Sequence, residues 1–168
     1  MGKRDIPVVA HSAVFRILTR DPLSLMESVT TTGEVARVTD FEDVGPPVWT
    51  VQDGRLVPDL MPDGVSLLIN LKEHGLVVIT GCSHAGIINI LKHATKLTGV
   101  DRIHAVLGGF HLVDAKPQRI ERTVSELLAL SPEHVVAGHC TGTEAQFALR
   151  HALGERWQPL ATGARFQF

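Results

Sequence analysis

The sequence predicts an α/β fold with a mixed β-sheet. From residue 76 onward, apolar runs of strand length alternate with amphipathic helical patterns, and a β-hairpin pattern lies directly before them. Hydrophobic residues make up 44% of the 168 positions and charged residues 20%, as in an ordinary globular protein. A chain of this length buries roughly 70% of its unfolded surface, so we expect residues 1–168 to form a single domain.

The first part of the chain, residues 1–64, predicts short strands joined by long loops. It is rich in Pro, Thr and Asp, which favour turns and irregular structure. Its clearest strand-like runs are Pro7–His11 and Gly33–Val38.

The second part, residues 65–168, opens with a predicted β-hairpin. The strand-like runs Val65–Leu71 and Leu76–Thr80 are separated by Lys72–Gly75, and glycine suits the positive φ of a tight turn. We therefore expect an antiparallel strand pair at the start of the sheet.

Three strand-then-helix units follow, and the first reuses the second hairpin strand. The strands are predicted at Leu76–Thr80, Ile103–Leu107 and His134–Ala137. One face of the first helix is predicted to carry Ile87, Ile90, Leu91, Ala94 and Leu97, and the second helix carries Ile120, Val124, Leu127 and Leu128 at helical spacing. The third helix runs through Phe147, Ala148 and His151. The polar face of the first helix is predicted at Asn89, Lys92 and Lys96.

Capping residues predict where these helices begin and end. Gly99 is expected to end the first helix in a left-handed conformation, and Pro117 suits the first position of the second. The segment Thr143–Gln146 matches the capping-box pattern and predicts the start of the third helix, which runs up to Gly154.

Each unit carries a glycine turn and a histidine after its strand. The turns are Thr80-Gly81-Cys82-Ser83-His84, Gly108-Gly109-Phe110-His111 and Ala137-Gly138-His139-Cys140-Thr141-Gly142. Because the carboxyl ends of parallel strands meet at one edge of a sheet, we expect His84, His111 and His139 to lie together. Imidazole is a common zinc ligand and is also accepted by iron and manganese. The pattern therefore predicts a metal site.

The remaining candidates are open to more than one interpretation. Five further histidines are expected in solvated or hydrogen-bonded roles: His74, His93, His104, His134 and His151. His11 follows an apolar run, as the site histidines do, and is a further candidate to line the pocket. Cys82 and Cys140 are either soft metal ligands or, as we favour, small packing residues. Asp114 either orients a ligand or is a solvated loop carboxylate.

Composition and charge argue against several classes of protein. The formal net charge is −2 with both signs interspersed, which favours neither nucleic acid nor an anionic membrane as partner. The apolar runs fall far short of the ~20 residues of a spanning helix. With no secretory apolar region behind Lys3 and Arg4, and with only two cysteines, we expect a cytoplasmic protein. The glycine turns match no nucleotide-binding pattern.

At the glycine-histidine turns the sequence resembles the metallo-β-lactamase-fold hydrolases. The segments that carry the resemblance are Val77–Ile87, Leu107–Leu112 and Gly138–Gly142. They are similar to the C-terminal half of these proteins, in the subgroup labelled dihydropterin ribofuranosylaminobenzene-phosphate synthase. The resemblance implies part of an αββα sandwich and covers nearly the whole chain, since Pro7–His11 and Thr31–Val35 also look like that subgroup's middle region.

The resemblance also implies roles for the three histidines. His84 matches the third metal-binding motif and His139 the last, while His111 falls where many relatives carry a bridging acid and is therefore a candidate ligand or catalytic group. The family's leading motif, His-x-His-x-Asp-His, occurs nowhere in these 168 residues. The implied cofactor is zinc, with manganese or iron as alternatives, and its ligand set is incomplete.

Three hypotheses follow about function. In the first, the chain is one half of a split or truncated metal-dependent hydrolase that acts on a small-molecule substrate, and a complementary N-terminal half chain supplies the missing ligands. In the second, it is a catalytically inactive binding or regulatory module, for which a homodimer is expected. In the third, it is a non-functional truncated product. We favour the first.

Overall fold

A computed structural model describes residues 19–42 and 48–167 and confirms the α/β fold with a mixed sheet. The strands are β1 (Ser24–Met26), β2 (Val29–Thr31), β3 (Trp49–Gln52), β4 (Arg55–Pro58), β5 (Leu67–Leu71), β6 (Gly75–Ile79), β7 (Ile103–Gly109), β8 (His134–Gly138) and β9 (Trp157–Leu160). The helices are α1 (Ile87–Thr98), α2 (Pro117–Leu130) and α3 (Thr143–Leu153), with short 3₁₀ turns at His139–Thr141 and Gly154–Arg156.

Seven strands form the main sheet, in the order β1-β2-β5-β6-β7-β8-β9. Strands β1, β2, β5 and β6 are antiparallel, whereas β6 to β9 are parallel to their neighbours. The remaining two strands, β3 and β4, form a separate antiparallel pair. The parallel half places the carboxyl ends of β6, β7 and β8 at one edge.

The predicted hairpin and two predicted helix ends are confirmed. Gly75, at the end of the hairpin loop, has a φ of 111°. Gly99 ends α1 in the left-handed conformation and its N–H donates to the carbonyl of Thr95. Pro117 is the first residue of α2. Proline lacks an N–H, and the N–H at this position has no hydrogen-bond partner within a helix in any case.

The strand predictions for residues 1–64 need correction. Gly33–Val38 is not a strand, and the nearby strand is β2. Gly33 turns the chain away from the sheet with a φ of 61°, so close to residue 20 that a Cβ would lie 2.5 Å from the Arg20 carbonyl oxygen. The predicted strand Pro7–His11, with the candidate His11, lies outside the described residues. Strand β9 follows α3 and was not predicted.

Helix faces differ from the periodicity prediction at several positions. Leu97 and Leu128 are 38% and 41% exposed, whereas Asn89 is fully buried. Thr143 is the first helical residue rather than a cap, because Gly142 takes the capping position with a φ of 76° and no side chain caps the helix. The capping-box prediction was therefore wrong, although the helix begins within a residue of the expected place.

The core lies between the helices and one face of the sheet. The sheet contributes Leu68, Leu76, Val78, Val106 and Val135, and these pack with buried residues of all three helices. Because side chains alternate along a strand, the neighbours of these residues face the other side. On that opposite face Ile79 is 39% exposed, and Leu67, Ile69 and Leu107 are half-buried. Within 19–42 and 48–167, no helix is both long and apolar enough to cross a membrane.

A carboxylate from a distant loop caps α1. Glu42 is 4% exposed, and its oxygens accept hydrogen bonds from the backbone N–H groups of Ile88 and Asn89 at 2.9 and 2.8 Å. Gly86, at the cap position with a φ of 97°, makes room for this carboxylate, since a Cβ there would lie 2.4 Å from its Cδ. Burial raises the pKa of Glu42 above its ordinary value of 4.5, and the two N–H groups offset part of that rise.

Glu42 therefore predicts a pH dependence of stability. A folded-state pKa above 4.5 means that the folded chain binds this proton more tightly than the unfolded chain. The stability from this proton is fully present below pH 4.5 and is lost as the pH rises through the elevated pKa. The test is urea unfolding of the wild type and of Glu42→Gln over a range of pH. The free energy of unfolding of the wild type minus that of the variant should fall as the pH rises. A difference that grows with pH would contradict this.

Candidate metal centre

The three glycine-histidine turns lie at the carboxyl edge of the parallel strands. His84 lies in the loop between β6 and α1, His111 lies two residues beyond the end of β7, and His139 directly follows β8. This is the edge at which α/β sheets bind their ligands. The sequence predicts the turns at this edge because each follows a strand. The parallel pairing of β6 with β7 and of β7 with β8 brings the ends of the three strands side by side.

Three residues of these turns have left-handed backbone conformations. Ser83, His111 and His139 have φ values of 58°, 49° and 51°. Such conformations are uncommon for residues other than glycine, and they cluster at functional sites where the surrounding structure holds them. Each turn therefore holds one residue in a backbone conformation of higher energy, as is common at functional sites.

Hydroxyl groups hold the turns against one another. Ser83 Oγ donates to the carbonyl of Gly109 at 2.6 Å and is 3.0 Å from Thr80 Oγ1. Thr141 Oγ1 donates to the carbonyl of Gly138 at 2.6 Å and accepts from the N–H of Phe110 at 3.1 Å. These positioning residues were missed, although Ser83 and Thr141 stand within the quoted motifs.

His84 and His111 form a pair of imidazoles. Their ring centroids are 4.7 Å apart, with the rings nearly perpendicular. Nδ1 of His111 is buried and has no hydrogen-bond partner within the part of the chain that the structure describes. Burial lowers the pKa of His111 below 6.5, and the neighbouring His84 lowers it further. His111 is therefore neutral at pH 7 and keeps a lone pair for a metal ion or a proton.

His139 lies with the two cysteines. Its Nε2 is 3.1 Å from Cys82 Sγ, and the ligand atoms of Cys82, His139 and Cys140 all lie within 4.8 Å of one another. Burial is the main cause that raises the pKa of the Cys140 thiol, and the backbone N–H of His111 opposes the rise by donating to it. Both sulfurs therefore lie near a candidate ligand, so the soft-ligand interpretation stands beside the packing role that we favour from the sequence.

The predicted site histidines therefore lie at one edge, in two groups. One group is His84 with His111, and the other is His139 with the thiols; the N–H of His111 links them through Cys140. The metal roles of the three histidines and the catalytic role of His111 stay predictions. Asp114 is exposed but lies close enough to His111 to raise its pKa slightly.

A cleft opens beside His111. It has a volume of about 520 Å³, within the usual range for small-molecule sites, and is lined by both acidic and basic side chains. Among these are Asp40, Asp114, Lys116 and Arg122. Such a cleft suits a small polar molecule.

The donor chemistry fits a metal ion of the zinc class. Imidazole nitrogen and thiolate sulfur are the ligands that zinc prefers in proteins, and both are present at this edge. The unpaired Nδ1 of His111 adds a further nitrogen donor. The group formed by Cys82, His139 and Cys140 contains no carboxylate, so it offers nitrogen and sulfur donors.

Comparisons with known proteins agree with the sequence resemblance, although no family model matches the chain. The chain is 35% identical over 157 residues to a 7,8-dihydropterin-6-methyl-4-(beta-D-ribofuranosyl)-aminobenzene-5'-phosphate synthase of Methanocaldococcus jannaschii, covering 90% of this chain and 52% of that protein. It is also 31% identical over 125 residues to an uncharacterized protein of the same organism, covering 74% of this chain and 44% of that protein. The chain thus spans about half the length of the curated relatives that it matches.

A solved structure shows the same fold. The chain matches Tm1679, a metal-dependent hydrolase of the beta-lactamase superfamily, with a TM-score of 0.78 and 29% sequence identity. The match covers 90% of this chain and 57% of that one. By its motifs, its relatives and its fold, the chain resembles the metallo-β-lactamase superfamily, whose fold it shares.

Proposed function

We propose that residues 1–168 form a single domain that supplies part of a metal-dependent hydrolase site acting on a small molecule. The observation that carries the proposal is the convergence of three glycine-histidine turns, with both cysteines, at the carboxyl edge of the sheet. The metal-dependent hydrolase that shares the fold supports the class of reaction. The synthase relative supports a small-molecule substrate.

In this proposal His84, His111 and His139 hold zinc, or alternatively manganese or iron. A bound divalent ion supplies Lewis acidity toward an electrophilic group of the substrate. Ser83 and Thr141 fix the turns that carry these histidines. His111 stays neutral, so its lone pair serves either the metal ion or, in the catalytic role, a proton, while the adjacent cleft orients the substrate. Cys82 and Cys140 are free thiols, and in this proposal they stay reduced, which suits a reducing compartment such as the cytoplasm.

The remaining ligands would come from a complementary segment that carries His-x-His-x-Asp-His. The opposite face of the sheet supports this, because a second sheet packed on it would cover Ile79 and the half-buried Leu67, Ile69 and Leu107. Each 100 Å² of apolar surface that is covered gains about 2.5 kcal/mol at ~25 cal/mol per Å². We therefore expect such a segment to cover this face of the sheet.

Complementation tests the proposal. The chain alone, with added zinc or manganese, is expected to hydrolyse phosphodiester and lactone substrates little or not at all. Addition of a relative's N-terminal half that carries the histidine motif should produce metal-dependent hydrolysis and a heterodimer in sedimentation. His139→Ala should abolish that activity, whereas His151→Ala, at an exposed position of α3, should leave it unchanged.

Two outcomes would contradict the proposal. Metal-dependent turnover by the chain alone would mean that it needs no complementary half. A stable heterodimer or homodimer that binds metal but shows no turnover on any substrate class would favour the binding or regulatory module.

A further inference from the structure

The two cysteines of the chain meet across a strand that lies between them. Cys82 lies in the turn after β6 and Cys140 in the turn after β8, whereas β7 pairs with both of these strands and separates them. Their sulfur atoms nevertheless lie within 4.8 Å of each other, and Cys140 Sγ donates to the carbonyl oxygen of Cys82 at 3.4 Å. These 168 residues contain no other cysteine, so each is the only partner for the other within them.

Two glycines at the end of β7 make this approach possible. Gly108 and Gly109 carry no side chain, and the N–H of Gly109 donates to the carbonyl of Gly81 at 2.8 Å. A Cβ on Gly109 would lie 2.7 Å from Cys140 Sγ, and one on Gly108 would collide with the carbonyl oxygen of Thr80. The turns after β6 and β8 therefore close over the end of β7, which brings the two cysteine side chains together.

The surroundings of the two thiols differ. Both cysteines are partly exposed, and Cys82 also lines a small cavity of about 140 Å³, which is roomy enough for a reagent little larger than water. Cys140 Sγ accepts a hydrogen bond from the backbone N–H of His111 and lies against Gly109, so the backbone fixes its position. An accessible thiol beside a second, fixed thiol is the usual arrangement of a cysteine pair that responds to oxidants.

We propose that Cys82 and Cys140 form a reversible disulfide when hydrogen peroxide oxidises Cys82, and that this bond switches off the metal centre. In the first step the O–O bond of the peroxide breaks, the Cys82 thiol becomes a sulfenic acid, and one water leaves. In the second step the Cys140 thiol attacks the sulfenic sulfur. The S–S bond forms, the S–O bond breaks, and the thiol proton leaves with the hydroxyl group as a second water.

Oxidation removes both sulfur donors from the group that Cys82, His139 and Cys140 form, and it leaves one imidazole. Because the thiolate is the form of cysteine that binds a metal ion, a disulfide cannot take its place. The S–S bond of ~2.05 Å also requires the two turns to move toward each other. The formation of the disulfide is independent of the proposed hydrolase function, whereas its effect on the metal centre rests on that function.

Peptide mapping of the metal-free chain tests the disulfide. After brief treatment with hydrogen peroxide, a digest made without reductant should contain one linked pair of peptides, with Cys82 in one and Cys140 in the other. Its mass should be about 2 Da below the sum of the two free peptides, since two hydrogen atoms are lost, and a dithiol reductant should separate the pair. Cys140→Ser is the matched variant, in which dimedone should trap the sulfenic acid on Cys82.

Zinc binding, measured by calorimetry, tests the switch. The oxidised chain should bind zinc at least tenfold more weakly than the reduced chain, and reductant should restore the affinity. The control is Cys82→Ser/Cys140→Ser, whose zinc affinity should be the same before and after peroxide treatment, because it has no thiol to oxidise.

The two halves of the proposal fail separately. A digest with no linked pair, or a linkage between two chains seen as a dimer on a nonreducing gel, overturns the disulfide whatever the hydrolytic activity. A linked pair with equal zinc affinity in the two forms overturns the switch. A reduced chain that binds no zinc overturns the switch together with the proposed metal centre, while the linked peptides still decide the disulfide.

Discussion

Metal-dependent hydrolysis by the complemented protein should fall about a hundredfold in Gly109→Ala. A Cβ at this position would lie 2.7 Å from Cys140 Sγ, 2.9 Å from the Gly81 carbonyl oxygen and 3.1 Å from His139 Cδ2. The new methyl group must therefore displace His139 and Cys140 by a substantial part of an ångström. A displacement of about 1 Å can cost 10²-fold in rate, because catalytic groups act only in their productive geometry.

Gly81→Ala provides the matched control at the same site. Gly81 precedes Cys82, yet a Cβ there would meet no atom within 4 Å. Its variant should keep near wild-type hydrolysis and zinc affinity, both measured beside those of Gly109→Ala. Equal activity in the two variants would mean that the packing of Gly109 against Cys140 and His139 does not shape the metal centre.

Asn89→Ala should destabilise the chain by about 3 kcal/mol, a large effect for one substitution. Asn89 Oδ1 accepts from the N–H groups of Val38 and Thr39 at 2.8 and 2.9 Å, and Nδ2 donates to the carbonyl of Ala85 at 2.8 Å. Alanine would leave the partly buried N–H groups of Val38 and Thr39 and the buried carbonyl of Ala85 without the side-chain amide. A buried polar group that loses its partner costs about 1 to 3 kcal/mol, and a partly buried one costs less.

Urea unfolding measures this loss, with Lys96→Ala as the control on the exposed side of the same helix. Lys96→Ala should change the free energy of unfolding by less than about 0.5 kcal/mol. The segment that Asn89 holds continues to Asp40 and Phe41, which line the cleft beside His111. A destabilisation no larger than that of Lys96→Ala would show that the loop does not depend on Asn89.

The buried position of Asn89 on α1 shows where sequence reasoning stops. Asn89 was placed on the polar face because its side chain is polar, but a loop some 50 residues earlier in the chain satisfies its amide in the core. On α3, Ala145, Leu149 and Leu153 are buried, whereas Phe147 is 64% exposed. Hydrophobicity alone does not record which distant partner a side chain meets.

The sequence by itself determined the features that depend on local physical chemistry. Alternating strands and helices, the left-handed cap at Gly99, the first-turn position of Pro117 and the glycine-histidine turns all follow from near neighbours. The expectation that His84, His111 and His139 share one edge needed only the rule for parallel strands. These features reflect backbone preferences of short segments, and such preferences do not depend on where the segment lies in the fold.

Only the tertiary structure decided which side chains became partners. It placed Glu42 at the start of α1, set His139 beside Cys82 and Cys140, and aligned His104 with His74 and His134 in a row. These contacts depend on strand register, including the irregularity between Leu76 and Val77 that shifts β6 against β7. A shift of one residue turns a side chain to the other face of the sheet, so contacts between distant segments are fixed only when the strands pair.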